Sequence, residues 1–244
     1  MMGCDPEIFF TKENRVIGSE SVLPKDGLKH KDKFDEWSAG KIVIDGVQGE
    51  LNPAPSTCRQ SLAYHIAACF KLLNTEALDP KKVKVNFSQA VELSDEDMSG
   101  LSDKSKTFGC SPSKNVYTED GRSHIEVNPA VYRFRAAGGH IHLGVLDSSP
   151  ANVVKALRTP KLTIPLLDLI VGNTCVLLDR DPSNIERRKV YGKAGEHRVP
   201  AHGLEYRTPS NFWLRSYPLM SLVMGLARTA VSISASSEGE ENFA

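Results

Sequence analysis

The sequence has no excess of charge of either sign and few cysteines. Its 30 lysine and arginine residues balance its 30 aspartate and glutamate residues, so the formal net charge at pH 7 is +0. Such a chain has no overall attraction to nucleic acid or to an anionic membrane, and we expect neither partner. The five cysteines are odd in number and never form CxxC, which disfavours a disulfide framework or a zinc ribbon. We therefore expect reduced thiols in a cytoplasmic protein.

Several familiar sequence signatures are also missing. No GxxxxGK[ST], GxGxxG or GxSxG run occurs, which disfavours a P-loop, a Rossmann site and a hydrolase nucleophile elbow. The first ten residues lack a basic segment followed by an apolar run, so no signal peptide is expected. The longest apolar stretch, 162–178, is interrupted by Pro165, Asp168 and Asn173. We expect it to be a core helix that is too short and polar to span a bilayer.

The alternation of strands, antiparallel-looking turns and a few long helices predicts an α+β fold and not a doubly wound sheet. One domain is expected over residues 1–236, and 237–244 is expected to be a disordered tail. Strands are predicted within 8–10, 41–52, 82–93 and 132–146. Helices are predicted from Ser56 or Thr57 to Asn74, twice within 150–178, and over 217–234. Loops are predicted over 11–39, 94–122 and 180–195.

Acidic residues gather near two predicted strands. Asp5 and Glu7 open the first strand, where positions i and i+2 face the same side. Glu50 and Asn52 share a face of the next strand pair, and Asp45 precedes them. Two carboxylates held together repel each other unless a cation lies between them. Each segment alone could be a solvated strand face, but the two together favour a metal pocket.

The run from Gly138 to Gly144 holds His140 and His142 on one side of a predicted strand. The glycines allow close backbone approach, and imidazole binds divalent metal or donates to an oxyanion. A single histidine is more often structural, but two with this spacing favour a ligand role.

The last polar block runs from Lys193 through Arg198 to Glu205 and Arg207. Arginines and carboxylates on short strands suit a polyphosphate held between metal ions and guanidinium groups. An oxygen-rich site with one histidine favours Mg²⁺ or Mn²⁺ over zinc. Any one of these basic residues could instead be a surface charge. The further candidates are Arg133, Arg135, Arg187 and Arg188.

The order of these segments resembles the glutamine synthetase and glutamate–cysteine ligase superfamily. More closely, it resembles the phage-type carboxylate–amine (COOH-NH2) ligases of type 2. Residues 3–10 (GCDPEIFF) are similar to the first-strand motif, and 139–142 (GHIH) to the GMHxH motif. Residues 198–200 (RVP), 205–209 (EYRTP) and 211–214 (NFWL) match the later motifs in order. Asp5 stands in place of glutamate, and Lys193 where the family often has arginine.

The resemblance implies a glutamine-synthetase-like catalytic domain that uses ATP with two or three Mg²⁺ (or Mn²⁺) ions. It further implies a mostly antiparallel, curved sheet with helices on one face. It implies that Arg198 and Arg207 bind the γ-phosphate and an acyl phosphate, and that His142 and Lys193 help in catalysis. Arg135 and Arg188, with Lys193, Arg198 and Arg207, are the expected nucleotide contacts. The implied metal ligands are Asp5, Glu7, Glu50, His140 and Glu205. Whether Asp45 is a ligand stays open, because its spacing from Glu50 is shorter than in glutamine synthetase.

The resemblance implies an ATP-dependent ligase that joins a small-molecule or peptide carboxylate to an amine. It places the enzyme in the cytoplasm, which is the host's if a phage encodes it. Two alternatives stay open: a guanidino-kinase-like phosphotransferase, and an inactive binding or structural protein of a phage. The sequence names neither substrate and gives no oligomeric state.

Overall fold

The computed structural model describes residues 1–30, 39–106, 113–128 and 132–236. The predicted tail and Cys110 lie outside these ranges, as does part of the predicted loop 11–39. The other four cysteines are free, and three of them are buried.

The described strands are short and are numbered in chain order. They are β1 (Met2–Cys4), β2 (Glu7–Lys12), β3 (Arg15–Ile17), β4 (Leu28–His30), β5 (Gly40–Asp45), β6 (Gln48–Pro53), β7 (Lys84–Asn86), β8 (Ala90–Glu92), β9 (Lys114–Asn115), β10 (Phe134–Ala136), β11 (Ile141–Gly144), β12 (Glu196–Arg198) and β13 (Gly203–Tyr206).

The described helices are numbered in the same way. They are α1 (Arg59–Leu73), α2 (Asp79–Lys81), α3 (Asp95–Ser99), α4 (Asp103–Lys106), α5 (Ala151–Arg158), α6 (Pro160–Leu167), α7 (Asn173–Leu178), α8 (Asn184–Val190) and α9 (Tyr217–Ser234). A π-helical turn joins α1 to α2, and a second one, Asp168–Gly172, joins α6 to α7.

The described strands form two larger sheets and one small ribbon. The first sheet has the order β1-β11-β13-β12-β9, and the second joins β3, β2, β6, β5 and β4, with β7 also paired to β2. Strands β8 and β10 form the ribbon. All these strand pairs are antiparallel. The prediction of an α+β fold with antiparallel sheets is therefore confirmed.

One apolar core extends through both sheets and the long helices. Ile8 and Leu51 come from the second sheet, Ile141 and Leu204 from the first, and Val223 from α9. Helix α1 contacts β4, β5 and β6, whereas α5 and α6 contact the first sheet, and all three helices contact α9. Burial of this shared apolar surface holds the two sheets side by side.

The helix predicted over 217–234 has those bounds. Val223 is fully buried on it, Leu219, Leu226 and Val231 pack against the core, and Leu222 is exposed. The buried face also carries Met220, Met224 and small residues such as Ala227. Small side chains allow close helix packing, and an analysis of large apolar residues alone overlooks them.

Other local predictions also need correction. Helix α1 has Cys58 as its N-cap residue, not Ser56 or Thr57, and no side chain caps it. The predicted loop 180–195 contains α8. The predicted loop 94–122 contains α3, whose capping box of Ser94 and Asp97 follows directly from the sequence.

The helical run Pro160–Leu178 is long and apolar enough to cross a membrane by length and composition, contrary to our expectation from its polar residues. Core helices of soluble proteins have the same property. Ile164, Leu167 and Val171 are fully buried, and α6 packs on α9. This packing is typical of a core helix over the first part of the run, whereas Leu169, Val176, Leu177 and Leu178 are exposed.

Candidate active site

The chain crosses from the first sheet to the second at Asp5 and Pro6. Strand β1 ends at Cys4 and β2 begins at Glu7, so Asp5 and Glu7 do not lie on one strand as predicted. Each carboxylate instead joins a different cluster of possible metal ligands, one cluster on each side of this junction.

We call Asp5, His142 and Glu205 the His–carboxylate cluster, because one ligand atom from each lies within 4.8 Å of the others. The antiparallel ladder creates it: His142 is paired with Gly3 on one side and with Glu205 on the other. Nε2 of His142 lies 3.1 Å from Oδ2 of Asp5. His142, predicted to position substrate, thus also has the placement of a metal ligand.

His140 lies directly beside this cluster. Its Nδ1 is 3.2 Å from Oδ1 of Asp5 and 3.7 Å from Oε1 of Glu205. Burial and the nearby Arg207 guanidinium lower the pKa of His140, which favours the neutral imidazole. Burial alone would raise the pKa of Asp5, but His140 and His142 hold that pKa well below its usual range. An ionised carboxylate beside a neutral imidazole is a suitable pair for a divalent cation.

Two glycines provide the space for His140. A Cβ atom on Gly138 would lie 2.4 Å from Nε2 of His140, and one on Gly139 would lie 2.2 Å from the Ser210 carbonyl oxygen. A side chain at Gly138 would displace the His140 ring, and one at Gly139 would displace the segment around Ser210. This confirms the expectation that these glycines allow close backbone approach.

We call Glu7, Asp45 and Glu50 the three-carboxylate cluster, whose ligand atoms also lie within 4.8 Å of one another. Glu7 and Glu50 are directly paired on β2 and β6. Burial and the Asp45 carboxylate raise the pKa of Glu7 to about 8. Burial and the Asp5 carboxylate raise the pKa of Glu50 to about 7, so the two clusters influence each other. Asp45, which the sequence left open as a ligand, belongs to this group.

Two arginines approach Glu205 from its far side. Arg198 is paired with Glu205 on the β12–β13 ladder, and its Nη1 lies 3.7 Å from Oε1 of Glu205. Nε of the buried Arg207 lies 3.4 Å from the same oxygen. The structure therefore brings both predicted phosphate-binding arginines to the edge of the His–carboxylate cluster.

Tyr191 connects the two parts of the site, and no sequence motif indicated it. Its hydroxyl donates to Oε2 of Glu7, which also accepts from the Gly138 backbone amide at 2.7 Å. The guanidinium groups of Arg187 and Arg207 lie 4.8 and 5.6 Å from the centre of its ring. The tyrosine thus fixes the orientation of Glu7 and supports the arginines.

Arg187 is fully buried and acts on the backbone. It donates to the carbonyl oxygens of Ala137, Thr208 and Pro209 at 2.7–2.9 Å, and to that of Arg207 at 3.2 Å. These bonds hold the segment before His140 against the segment that carries Arg207. Since these groups are already paired, Arg187 stabilises the site and is not a candidate for binding phosphate.

Three other predicted nucleotide contacts have different surroundings. Lys193 forms an ion pair with Glu126 at 2.8 Å, on the exposed side of its loop. Arg135 is buried and donates to the carbonyl oxygens of Tyr132 and Lys106 at 2.6 and 2.7 Å. Arg188 is half-buried and makes no hydrogen bond or ion pair with another described residue. The ion pair of Lys193 and these hydrogen bonds of Arg135 go to residues of neither cluster.

The donor atoms of the His–carboxylate cluster suit a cation. Oδ1 of Asp5, Nε2 of His142 and Oε1 of Glu205 are buried, and among the described residues they make ion-pair contacts at 3.1–3.7 Å but no hydrogen bond. Buried polar atoms normally have a hydrogen-bond partner, so three such atoms facing one another are typical of a ligand site. Carboxylate oxygens with one imidazole suit Mg²⁺ or Mn²⁺.

Comparison with known families agrees with this chemistry over part of the chain. Residues 126–241 match the family model described as phage phiEco32-like COOH.NH2 ligase-type 2. The match covers just under half of the sequence and includes His140, His142, Arg198, Glu205 and Arg207. No match was found among curated proteins. The match supports the carboxylate–amine ligase family and suggests a carbon–nitrogen ligase.

Proposed function

We propose that the protein is an ATP-dependent carboxylate–amine ligase of the glutamine-synthetase-like type. The observation that carries the proposal is the position of Glu205, which lies between His142 on one neighbouring strand and Arg198 on the other. The three paired residues His142, Glu205 and Arg198 bring metal-ligand groups next to a guanidinium group. Both are needed to hold the phosphates of a nucleotide.

In the proposed reaction, an oxygen of the substrate carboxylate attacks the γ-phosphorus of ATP and ADP leaves. The product of this step is an acyl phosphate. The nitrogen of the amine then attacks its carbonyl carbon, phosphate leaves, and the nitrogen loses a proton as the amide forms. Arg198 and Arg207 are positioned to neutralise the negative charge that accumulates on the transferring group. The protein's main contribution is to position the reactants.

The His–carboxylate cluster would hold one divalent cation and the three-carboxylate cluster a second. Bound there, Mg²⁺ or Mn²⁺ would neutralise phosphate charge during transfer. Tyr191 and the Gly138 amide keep Glu7 directed towards its cluster. His140 fills the space beside Asp5 and Glu205 as a further ligand or a support.

The proposal is tested by nucleotide binding and by product analysis. The full chain should bind ATP only with Mg²⁺ or Mn²⁺, and form ADP and phosphate with a matching carboxylate and amine. A screen of amino acids, polyamines and cell-wall peptides, followed by mass spectrometry, would identify the amide. A stable phosphorylated guanidine with ADP would instead establish a phosphotransferase.

The matched variants are Glu205→Gln and Glu92→Gln. Glu205→Gln removes the charge between His142 and Arg198 and should reduce turnover by about 10²-fold or more. Glu92 is exposed on β8, so Glu92→Gln should leave turnover unchanged. Full ATP-dependent activity in Glu205→Gln would refute the proposed site.

A further inference from the structure

Two neighbouring cavities share Arg228 of α9 as a lining residue. The first has a volume of about 240 Å³ and lies where β1, β11, α5 and α9 come together. Leu143 lines it, whereas the preceding residue of the same strand, His142, lies at Asp5. Successive side chains of a strand point to opposite faces, so β11 separates this cavity from the His–carboxylate cluster.

The first cavity is mainly apolar. Met2, Leu143, Val153 and Leu157 form much of its wall. An apolar cavity of about 150 Å³ is enough to bind benzene, so this cavity can hold a chain of several carbons. Each methylene group buried there would strengthen binding by about fourfold.

The second cavity is positively charged. It has a volume of about 360 Å³ and is lined by Arg59 and Arg228. Arg59 donates to the Ser221 carbonyl oxygen at 3.3 Å, and Arg228 donates to the Thr57 carbonyl oxygen at 3.2 Å. Neither arginine forms an ion pair with a described residue, and no acidic side chain in the described part of the chain lines either cavity.

Gly225 allows both guanidinium groups to lie on one side of α9. A Cβ atom at this position would lie 2.7 Å from Nη1 of Arg59, so a larger residue would displace that guanidinium group. Arg228 follows Gly225 by three residues and therefore lies on the same face of the helix. Two cations that line one cavity without a carboxylate favour an anionic ligand, and arginine binds carboxylates through two parallel hydrogen bonds.

We infer that the two cavities form a second small-molecule site, which binds a carboxylate on a short apolar chain. The carboxylate would lie at Arg59 and Arg228, and the chain would extend into the apolar cavity beside Leu143. None of the residues proposed above to hold metal or nucleotide lines either cavity. The inference therefore goes beyond the proposed function.

Hexanoate, hexylamine and acetate separate the contributions of the two cavities. Hexanoate and hexylamine share an apolar chain and differ in charge, whereas acetate keeps the carboxylate and has almost no chain. Ligand-observed NMR with the full chain, without divalent cations, should detect binding of hexanoate. Hexylamine and acetate should each bind at least about tenfold more weakly.

Arg59→Gln and Arg228→Gln each replace a cation of the charged cavity with a neutral polar side chain. Each should weaken hexanoate binding by about fivefold or more. The control is Arg180→Gln, because Arg180 is exposed and lines neither cavity. This control should bind hexanoate as the unaltered protein does.

Ser232→Leu fills the apolar cavity from an exposed position of α9. The Ser232 hydroxyl donates to the Arg228 carbonyl oxygen of the same helix, and leucine is favourable in helices, so the fold should be kept. Hexanoate binding should fall by about tenfold or more. The control is Thr75→Leu, because Thr75 is exposed, lines neither cavity and also donates to a carbonyl oxygen four residues earlier, that of Lys71.

Magnesium–ATP binding should persist in all these variants, since none of them changes a residue of either metal cluster. Hexylamine binding as strong as that of hexanoate would overturn the inference. Unchanged hexanoate binding in Ser232→Leu and in both arginine variants would also overturn it. A lack of magnesium–ATP binding in the unaltered protein would contradict the proposed function, and hexanoate binding would still decide whether this second site exists.

Discussion

Asp5 and Glu7 are separated by one proline, yet their carboxylates belong to different clusters. Asp5 faces His142 and Glu205 of the first sheet, and Glu7 faces Glu50 of the second. The two clusters of the candidate site therefore lie on opposite sides of the junction between the sheets. A cation in each cluster would reduce the repulsion between carboxylates that the fold places together.

The pH dependence of stability should reveal this repulsion in metal-free protein. The pKa of Glu7 is raised from 4.5 to about 8, and that of Glu50 to about 7. A raised pKa in the folded state means that folding favours the protonated group. That stabilisation is complete below about pH 4.5 and is lost as the pH rises through 7 and 8. Metal-free protein should therefore unfold at a lower temperature at pH 8.5 than at pH 6.

Magnesium should oppose the loss of stability at high pH, because it binds the ionised carboxylates and displaces their protons. Thermal unfolding with excess Mg²⁺ or with EDTA would measure the difference. The stabilisation should be small at pH 6 and about 5 °C or more at pH 8.5. The variant Glu7→Gln should show a weaker pH dependence in EDTA. A magnesium effect that is equal at both pH values would contradict this explanation.

The backbone network around Arg187 predicts a large loss of stability on substitution. Arg187→Met would leave four buried carbonyl oxygens with one partner fewer, and should lower the free energy of unfolding by about 3–5 kcal/mol. The neighbouring Arg188→Met is the control and should change it by about 0.5 kcal/mol or less. Urea denaturation measures both values. Similar losses in the two variants would show that the network contributes little.

The part of the site that could be predicted lies on or next to strands, where successive side chains point to alternate faces. His140 and His142 were expected on one side, and the structure places both beside Asp5. Their partner Glu205 follows from pairing of β11 with β13, which no local pattern specifies. Asp45 joins Glu7 through a hairpin of β5 and β6, so the short spacing from Glu50 was misleading.

The parts that could not be predicted depend on contacts between distant segments. Tyr191 reaches Glu7, and His202 reaches His142, but neither residue lies in a recognisable motif. The sequence shows where the basic residues are, but not which of their side chains already form hydrogen bonds or ion pairs within the protein. Arg135 therefore resembled Arg198 in the sequence, although its guanidinium group bonds to backbone carbonyls.

The glycines before His140 should be intolerant of a methyl group. In Gly139→Ala, the Cβ atom would approach the Ser210 carbonyl oxygen to 2.2 Å and Nε1 of Trp213 to 2.5 Å. Both neighbours are buried, so the variant should lose about 1–3 kcal/mol or more of folding free energy. Gly100→Ala is the matched control and should be close to neutral. Equal unfolding midpoints in urea would show that the Ser210 segment can move freely.

Tyr191→Phe should weaken cation binding while the fold is preserved. The ring keeps its place beside Arg187 and Arg207, but Glu7 loses the hydroxyl that lowers its pKa. Its pKa should then rise further, so that fewer Glu7 carboxylates are ionised at pH 7. Titration with Mn²⁺, followed by electron paramagnetic resonance, should show weaker binding at pH 7 and a smaller deficit at pH 9. The exposed Tyr64 provides the control Tyr64→Phe, which should bind Mn²⁺ normally. If the deficit of Tyr191→Phe were the same at both pH values, a change in the pKa of Glu7 would not be its cause.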